Sequence, residues 1–139
     1  MDDLENIDKV YNRVSDLILS AQSYLTKTIN TSMVVLYWHI GKTIQENEIK
    51  NNRAEYGKET VRKLAENLQR EYGKGYSYSN LTRMITLYNN FPEESILNTV
   101  LTKLSWSHLI EIIKQKEELK REFYITMCIN EGWSVRELS

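Results

Sequence analysis

The side chains best suited to chemistry in this sequence are cations, hydroxyls and amides that gather between residues 70 and 83. All of them can form hydrogen bonds with phosphate oxygens or base edges of a nucleic acid, which is chemistry of binding rather than of catalysis. The alternative interpretation is that these residues form a charged face that contacts only solvent. The predicted nucleic-acid-binding residues are Arg70, Lys74, Tyr76, Ser77, Tyr78, Ser79, Asn80, Thr82 and Arg83.

Charge is distributed unevenly along the chain. The 139 residues carry a formal net charge of −1, which excludes a uniformly basic coat and requires any anion-binding surface to be local. Residues 51–91 hold seven Lys or Arg against four Asp or Glu, whereas residues 1–50 hold five against seven and residues 92–139 hold six against eight. Because phosphate binding requires clustered cations, we expect duplex DNA to be contacted by the central segment.

Residues that could catalyse a reaction are sparse. Two Glu-x-Lys triplets, at 48–50 and 118–120, resemble a nuclease pattern, but each lacks the second carboxylate that would help to hold a divalent cation. Cys128 has only His39 and His108 as histidine partners, and the common phosphate-loop, dinucleotide and zinc motifs do not occur. We therefore expect this chain not to be an enzyme and to have no metal site or cofactor.

Two helices must position the predicted DNA-contacting residues. Apolar residues recur at helical spacing over 61–68 and again over 81–91. The intervening GKGYSYS offers Gly73 and Gly75 for a tight reversal, and serines that can cap the second helix. The pattern predicts a helix-turn-helix element over residues 54–91, a shape by which many proteins lay a helix in the DNA major groove. Two packed helices of an ordinary bundle would give the same pattern.

A stripe of apolar residues repeats every seven positions in the first helix, and Leu4, Tyr11, Ile18 and Leu25 form it. A stripe of this length needs a partner surface. A second helix of the same chain would provide one, and a second copy of the chain in a homodimer is the alternative. These four residues are therefore the predicted oligomer interface.

The segment 33–49 is predicted to be a central helix, because its first two turns are apolar all round. Gly41 lies inside it, and a glycine there costs about 1 kcal/mol relative to alanine. We expect another helix to approach closely at this position as compensation.

The C-terminal part, residues 92–139, begins with Pro92, which ends the preceding helix. Ser105 or Ser107 is predicted to cap a helix, and a further helix over 117–130 is expected to bury an apolar face formed by Leu119, Phe123, Tyr124, Met127 and Cys128. No stretch alternates with the period of a strand. We predict a single all-α domain over residues 1–139, a helical bundle whose first part, residues 1–50, is a pair of long helices.

The sequence also indicates a cellular compartment. One cysteine cannot form an internal disulfide, and the N-terminus lacks the basic and apolar pattern of a signal peptide. The longest apolar run, residues 33–40, is too short to span a bilayer. We expect a cytoplasmic protein with no membrane partner.

Several phrases of the chain, taken in order, resemble the N-terminal domain of the YhcG family. They are YWHIGKTI, EYGKETVRKLAENLQREYGKGYSYSNLTRMITLYNNFP, LSWSHL, REFY and GWSVREL. Members are bacterial and are usually built with a C-terminal nuclease domain of the PD-(D/E)XK type. The resemblance, which covers about residues 10–138, implies an all-helical domain with a winged-helix-like or helix-turn-helix element. It also implies that the catalytic residues belong to the nuclease domain, which we expect to be absent from this chain.

The function that these expectations favour is a non-catalytic DNA-binding module that positions or assembles a linked nuclease. The alternative is an oligomerisation or protein-interaction module without direct DNA contact. Relatives often carry more basic residues around the turn and second helix, where this sequence has Tyr78, Ser79 and Ile85. We therefore expect the turn, more than the second helix, to contact phosphates.

The two tryptophans of the C-terminal motifs, Trp106 and Trp133, each precede a predicted helix start. An aromatic ring in this position commonly packs over a capped turn. We favour a packing role for both, with His108 orienting a cap or a neighbouring carbonyl group.

Overall fold

A computed structural model describes residues 2–22, 29–49 and 54–139 of the chain. Every regular element in these ranges is helical, which confirms the predicted all-α class. A π-helical turn, Gln45–Ile49, follows α2, and 3-10 turns at Lys74–Tyr76 and Leu101–Lys103 precede α4 and α6. The α-helices are α1 (Asp2–Gln22), α2 (Ile29–Ile44), α3 (Ala54–Tyr72), α4 (Tyr78–Asn90), α5 (Glu94–Thr99), α6 (Trp106–Ile113), α7 (Glu118–Glu131) and α8 (Val135–Leu138).

Helix α2 lies at the centre and packs most extensively against α4, as its apolar surface predicted. Trp38, Ile40 and Ile44 are fully buried along it. The indole nitrogen Nε1 of Trp38 donates a 2.7 Å hydrogen bond to the carbonyl oxygen of Phe91, the residue that ends α4. This bond fixes the C-terminal end of α4 against α2.

Gly41 provides the close approach between these two helices. A Cβ atom placed at this residue would lie 2.1 Å from the carbonyl oxygen of Met84 and 2.6 Å from its carbonyl carbon. These atoms belong to the backbone of α4, so no side-chain rotation could relieve the overlap. The prediction that another helix packs closely at Gly41 is confirmed.

Two apolar clusters form the core, one on each side of α2 and α4. The first joins α1, α3 and the sides of α2 and α4 that carry Ile40 and Met84. The second joins α5, α6, α7 and the opposite sides, which carry Trp38 and Leu87. Because α2 and α4 contribute to both clusters, the position of α4 depends on packing in each of them.

Helix α1 packs against α2 and α3 of the same chain. Of the predicted oligomer interface, Ile18 is 2% exposed within the first cluster, and Tyr11 packs against it while its hydroxyl reaches Glu71 Oε1 at 3.4 Å. Leu4 is 65% exposed. Leu25 lies outside the described residues. The middle of the stripe is therefore packed against other helices of this chain, and its N-terminal end is exposed.

Helix α7 is less buried than the sequence predicted. Ile125 and Cys128 are buried in the second cluster, but Leu119 is 80% exposed and Phe123 is 53% exposed. The expectation that both would be buried was wrong, because α7 carries apolar residues on two faces and the described residues cover one of them. Among the described helices, none has the length and apolar character needed to cross a membrane.

Candidate nucleic-acid interface

The turn between α3 and α4 runs from Gly73 to Ser77. Gly73 has φ 102°, a conformation that favours glycine, and its amide donates to the carbonyl oxygen of Gln69 at 2.9 Å. Gly75, also predicted as a candidate for this conformation, does not adopt a positive φ. The reversal between the two helices therefore depends on Gly73.

Ser77 is the N-cap of α4, as the sequence predicted for a serine of this segment. Its Oγ accepts a 3.2 Å hydrogen bond from the amide of Asn80, and its carbonyl oxygen accepts a 2.8 Å bond from the amide of Leu81. A capping serine satisfies an amide that would otherwise lack a partner in the first helical turn. The Ser77 hydroxyl is thus part of the helix start.

Asn80 ties the turn to the rest of the protein. Its side-chain Nδ2 donates a 2.7 Å hydrogen bond to the carbonyl oxygen of Gly75, and its Oδ1 accepts from Trp106 Nε1 at 3.4 Å. Arg83 Nη1 also approaches Oδ1 at 3.4 Å. Both ends of the amide therefore have protein partners. Asn80 acts by positioning the turn against α6.

Replacing Asn80 by alanine is expected to lower the free energy of unfolding by about 1–2 kcal/mol, because the Gly75 carbonyl and the Trp106 indole lose their shared partner. Urea denaturation followed by circular dichroism would measure the change. Ser79→Ala is the control, since Ser79 is exposed beside it, and its effect should stay within about 0.5 kcal/mol. Equal stability of the two variants would contradict the positioning role.

Tyr76 packs beneath the turn. Its ring meets the rings of Tyr37 and Tyr72 edge to face, with centroid distances of 6.3 and 6.1 Å. Burial raises the pKa of the Tyr76 phenol to about 12, and the neighbouring phenols Tyr37 and Tyr72 add to the shift. Tyr76 was predicted to contact DNA, and these contacts place it as a support for the turn.

The raised pKa of Tyr76 gives a testable dependence on pH. The folded protein favours the neutral phenol, so this contribution to stability is complete below pH 10 and is lost as pH rises from 10 towards about 12. An absorbance titration of phenolate formation should show a late-ionising tyrosine that disappears in Tyr76→Phe. Identical late titration in the wild type and the variant would contradict the assignment.

The three predicted cations, Arg70, Lys74 and Arg83, are exposed around this turn. Within the described ranges, none of them forms an ion pair with a carboxylate. Ser79 is exposed beside them, whereas the hydroxyl of Thr82 donates a 2.7 Å hydrogen bond to the carbonyl oxygen of Ser79. The cations are therefore available to an external anion.

Arg62 is a fourth cation at this surface, and sequence reasoning did not assign it to the site. Its guanidinium carbon lies 4.2 Å from the centre of the Tyr78 ring, a cation–π contact that joins α3 to the first residue of α4. Arg62 is exposed, so its outer edge remains accessible. The two residues are far apart along the chain, and no local pattern signals their contact.

The motifs around Trp106 and Trp133 act through packing, as predicted. Trp106 lies against Tyr37 with ring centres 4.8 Å apart. The ring of His108 bridges two segments, with Nδ1 2.7 Å from Ser105 Oγ and Nε2 donating to the carbonyl oxygen of Trp133 at 2.9 Å. Ser105 caps α6 and thereby resolves the choice between the two predicted capping serines.

No three or more His, Cys, Asp or Glu side chains are grouped closely enough to hold a metal ion in the parts of the chain that the structure describes. The turn and the helix ends beside it carry exposed cations, together with the exposed carboxylate of Glu71. The N-terminal end of α4 follows the turn, and its backbone amides and helix dipole favour negative groups.

Comparison with known proteins gives two sequence matches. The family model described as the DUF1016 N-terminal domain matches residues 13–139. A protein of Escherichia coli (strain K12) named "Putative nuclease YhcG" is 26% identical over an alignment of 160 residues, which covers 94% of this chain and 43% of that relative. The chain thus spans less than half of the relative's length.

No solved structure gives a significant match. The resemblance to the N-terminal domain of the YhcG family is confirmed by the two sequence matches together. Since the family model covers nearly the whole sequence, this chain belongs to the DUF1016 N-terminal domain family.

Proposed function

We propose that this chain is a non-catalytic DNA-binding module that positions or assembles a linked nuclease domain. The observation that carries the proposal is the group of exposed cations around the start of α4, Arg62, Arg70, Lys74 and Arg83, which have no carboxylate partner in the described part of the chain. Accessible cations beside a helix N-terminus are suited to DNA phosphates.

In this proposal α3, the turn and α4 form the DNA-binding helix-turn-helix. The inner side of α4 is buried through Leu81, Met84 and Leu87. Its outer side carries Ser79, Arg83 and Thr86, which are exposed and spaced to share one helical face. That face carries one cation, and the other cations lie at the turn and on α3. This distribution favours a complex that is anchored by phosphate contacts near the turn.

The linked nuclease is inferred from the relative. The name of that protein contains the word nuclease, and this chain covers 43% of its length, which leaves ample sequence for a further domain. We propose that residues 1–139 act as one domain beside that nuclease, in the bacterial cytoplasm where its DNA substrate would lie. A DNA-binding neighbour would raise the effective concentration of the nuclease at its substrate.

The direct test is fluorescence anisotropy of labelled duplex DNA with the purified chain, with single-stranded DNA of the same sequence in parallel. We expect duplex binding at low salt that weakens steeply as salt is added, because released counterions oppose the complex. Absence of duplex binding at low salt would refute the proposal.

Self-association through α1 is a second candidate function. Leu4 and Leu19 are 65% and 57% exposed, and their separation places them within roughly 60° of each other around the helix. This candidate interface includes Leu4 of the predicted interface residues, whereas Ile18 is buried in the core of its own chain.

Light scattering should show a dimer that the double variant Leu4→Glu/Leu19→Glu dissociates. A wild-type monomer at high concentration would contradict self-association. A dimer would present two α4 helices to two half-sites.

A further inference from the structure

A groove runs between α7 and the segment that connects α4 to the second 3-10 turn. Its volume is about 710 Å³. The apolar side chains that line it are Phe91, Pro92, Ile96, Val100 and Ile125. Because it adjoins the C-terminal end of α4, it is separate from the candidate DNA surface at the N-terminal end of the same helix.

Three carboxylates, Glu93, Glu118 and Glu122, surround the apolar lining. All three residues are exposed, and none forms an ion pair with a described residue. Acidic groups in this arrangement repel phosphates, so the groove is unsuited to DNA. They would attract a partner that carries positive charge.

Arg121 is the one cation among the residues that line the groove, and the protein itself uses it. Its Nη1 donates to the carbonyl oxygens of Gln115 and Lys116 at 2.9 and 3.0 Å, which ties the segment before α7 to the helix. Its guanidinium carbon lies 5.9 Å from the centre of the Phe91 ring. Arg121 therefore braces the groove, and its Nη1 is directed to the backbone rather than to the surrounding carboxylates.

Two further apolar side chains of α7 are exposed outside the groove lining. Leu119 and Phe123, which were among the residues expected from the sequence to be buried, are 80% and 53% exposed. Neither lines the groove, and the Phe123 ring packs against the rings of Tyr124 and Trp133 with centroid distances of 5.6 and 6.1 Å. The groove itself combines an apolar lining with exposed carboxylates, which is typical of grooves that hold a peptide.

We propose that this groove binds a peptide segment of another protein, in which apolar side chains enter the groove and lysine or arginine side chains pair with Glu93, Glu118 and Glu122. The apolar contacts would supply affinity, and the carboxylates would select the charge and orientation of the peptide. The proposal is independent of DNA binding, because the two surfaces lie at opposite ends of α4.

The test is selection of a displayed library of random dodecapeptides on the immobilised 139-residue chain. We expect the enriched peptides to combine apolar residues with lysine or arginine. The double variant Glu118→Lys/Glu122→Lys should bind synthetic versions of them about tenfold more weakly or worse. Both substitutions are at exposed positions, and thermal denaturation would verify that the variant is folded.

The matched control is Glu5→Lys/Glu131→Lys, which changes net charge equally at exposed positions outside the groove lining and should bind the peptides like the wild type. Enrichment of acidic or uncharged peptides, or equal binding to both double variants, would overturn the proposal. Wild-type self-association that is lost only in Glu118→Lys/Glu122→Lys would assign the groove to a second copy of the chain and would likewise overturn it.

Discussion

The double variant Lys74→Glu/Arg83→Glu is expected to bind duplex DNA about a hundredfold more weakly than the wild type. Each cation is exposed at the α3–α4 surface without a carboxylate partner among the described residues, and each lost phosphate contact costs roughly tenfold. The slope of log affinity against log salt should also fall by about one per contact. Anisotropy titrations at several salt concentrations would measure both quantities.

The control for this result is Lys116→Glu/Lys120→Glu. It changes net charge by the same amount at two exposed positions, one just before α7 and one in its first turn, away from the α3–α4 turn. Its affinity should stay within about threefold of the wild type, because a change in net charge alone acts weakly once salt screens it. Equal losses in the two variants would show that overall charge, and not the surface around the turn, governs binding.

Gly41→Ala is expected to lower the free energy of unfolding by about 2–4 kcal/mol. The new methyl group would lie 2.1 Å from the Met84 carbonyl oxygen, so α2 and α4 would have to separate and loosen both apolar clusters. Alanine is the better helix former by about 1 kcal/mol. The overlap opposes this gain and should outweigh it. Urea denaturation would measure the difference.

Asn12→Ala provides the comparison for Gly41→Ala. Asn12 is exposed on α1, so its replacement should change stability by no more than about 0.5 kcal/mol. If Gly41→Ala were as stable as the wild type, the close approach of α2 to α4 would be contradicted. Because this contact sets the position of α4, Gly41→Ala would also alter the proposed DNA-binding surface.

Local features of the fold could be predicted from the sequence because they depend on neighbouring residues. Ser77 and Ser105 cap helices that begin one residue later, and Gly73 provides the positive φ of the turn. The close approach of another helix at Gly41 could be predicted, because a glycine inside an apolar helix destabilises it and close packing can offset that cost. Each of these expectations rests on a rule that operates within one turn of the chain.

Tertiary features could not be predicted in this way. The Arg62–Tyr78 contact and the hydrogen bond from Trp106 to Asn80 join residues whose separation gives no periodic signal. Helical spacing also could not show which of two apolar faces of α7 would be covered, so Leu119 and Phe123 were assigned to the core. Of the predicted DNA contacts, Asn80 and Tyr76 have partners within the protein that only the packed structure reveals.

The most direct test of the central claim is an NMR titration of the isotope-labelled chain with duplex DNA, followed through amide proton–nitrogen correlation spectra. Residues 62–86 comprise the turn and the cations on either side of it. We predict that the largest shifts fall between Arg70 and Arg83 and that α7 is unaffected. Shifts concentrated on α1 or α7, or no shifts at low salt, would contradict the account.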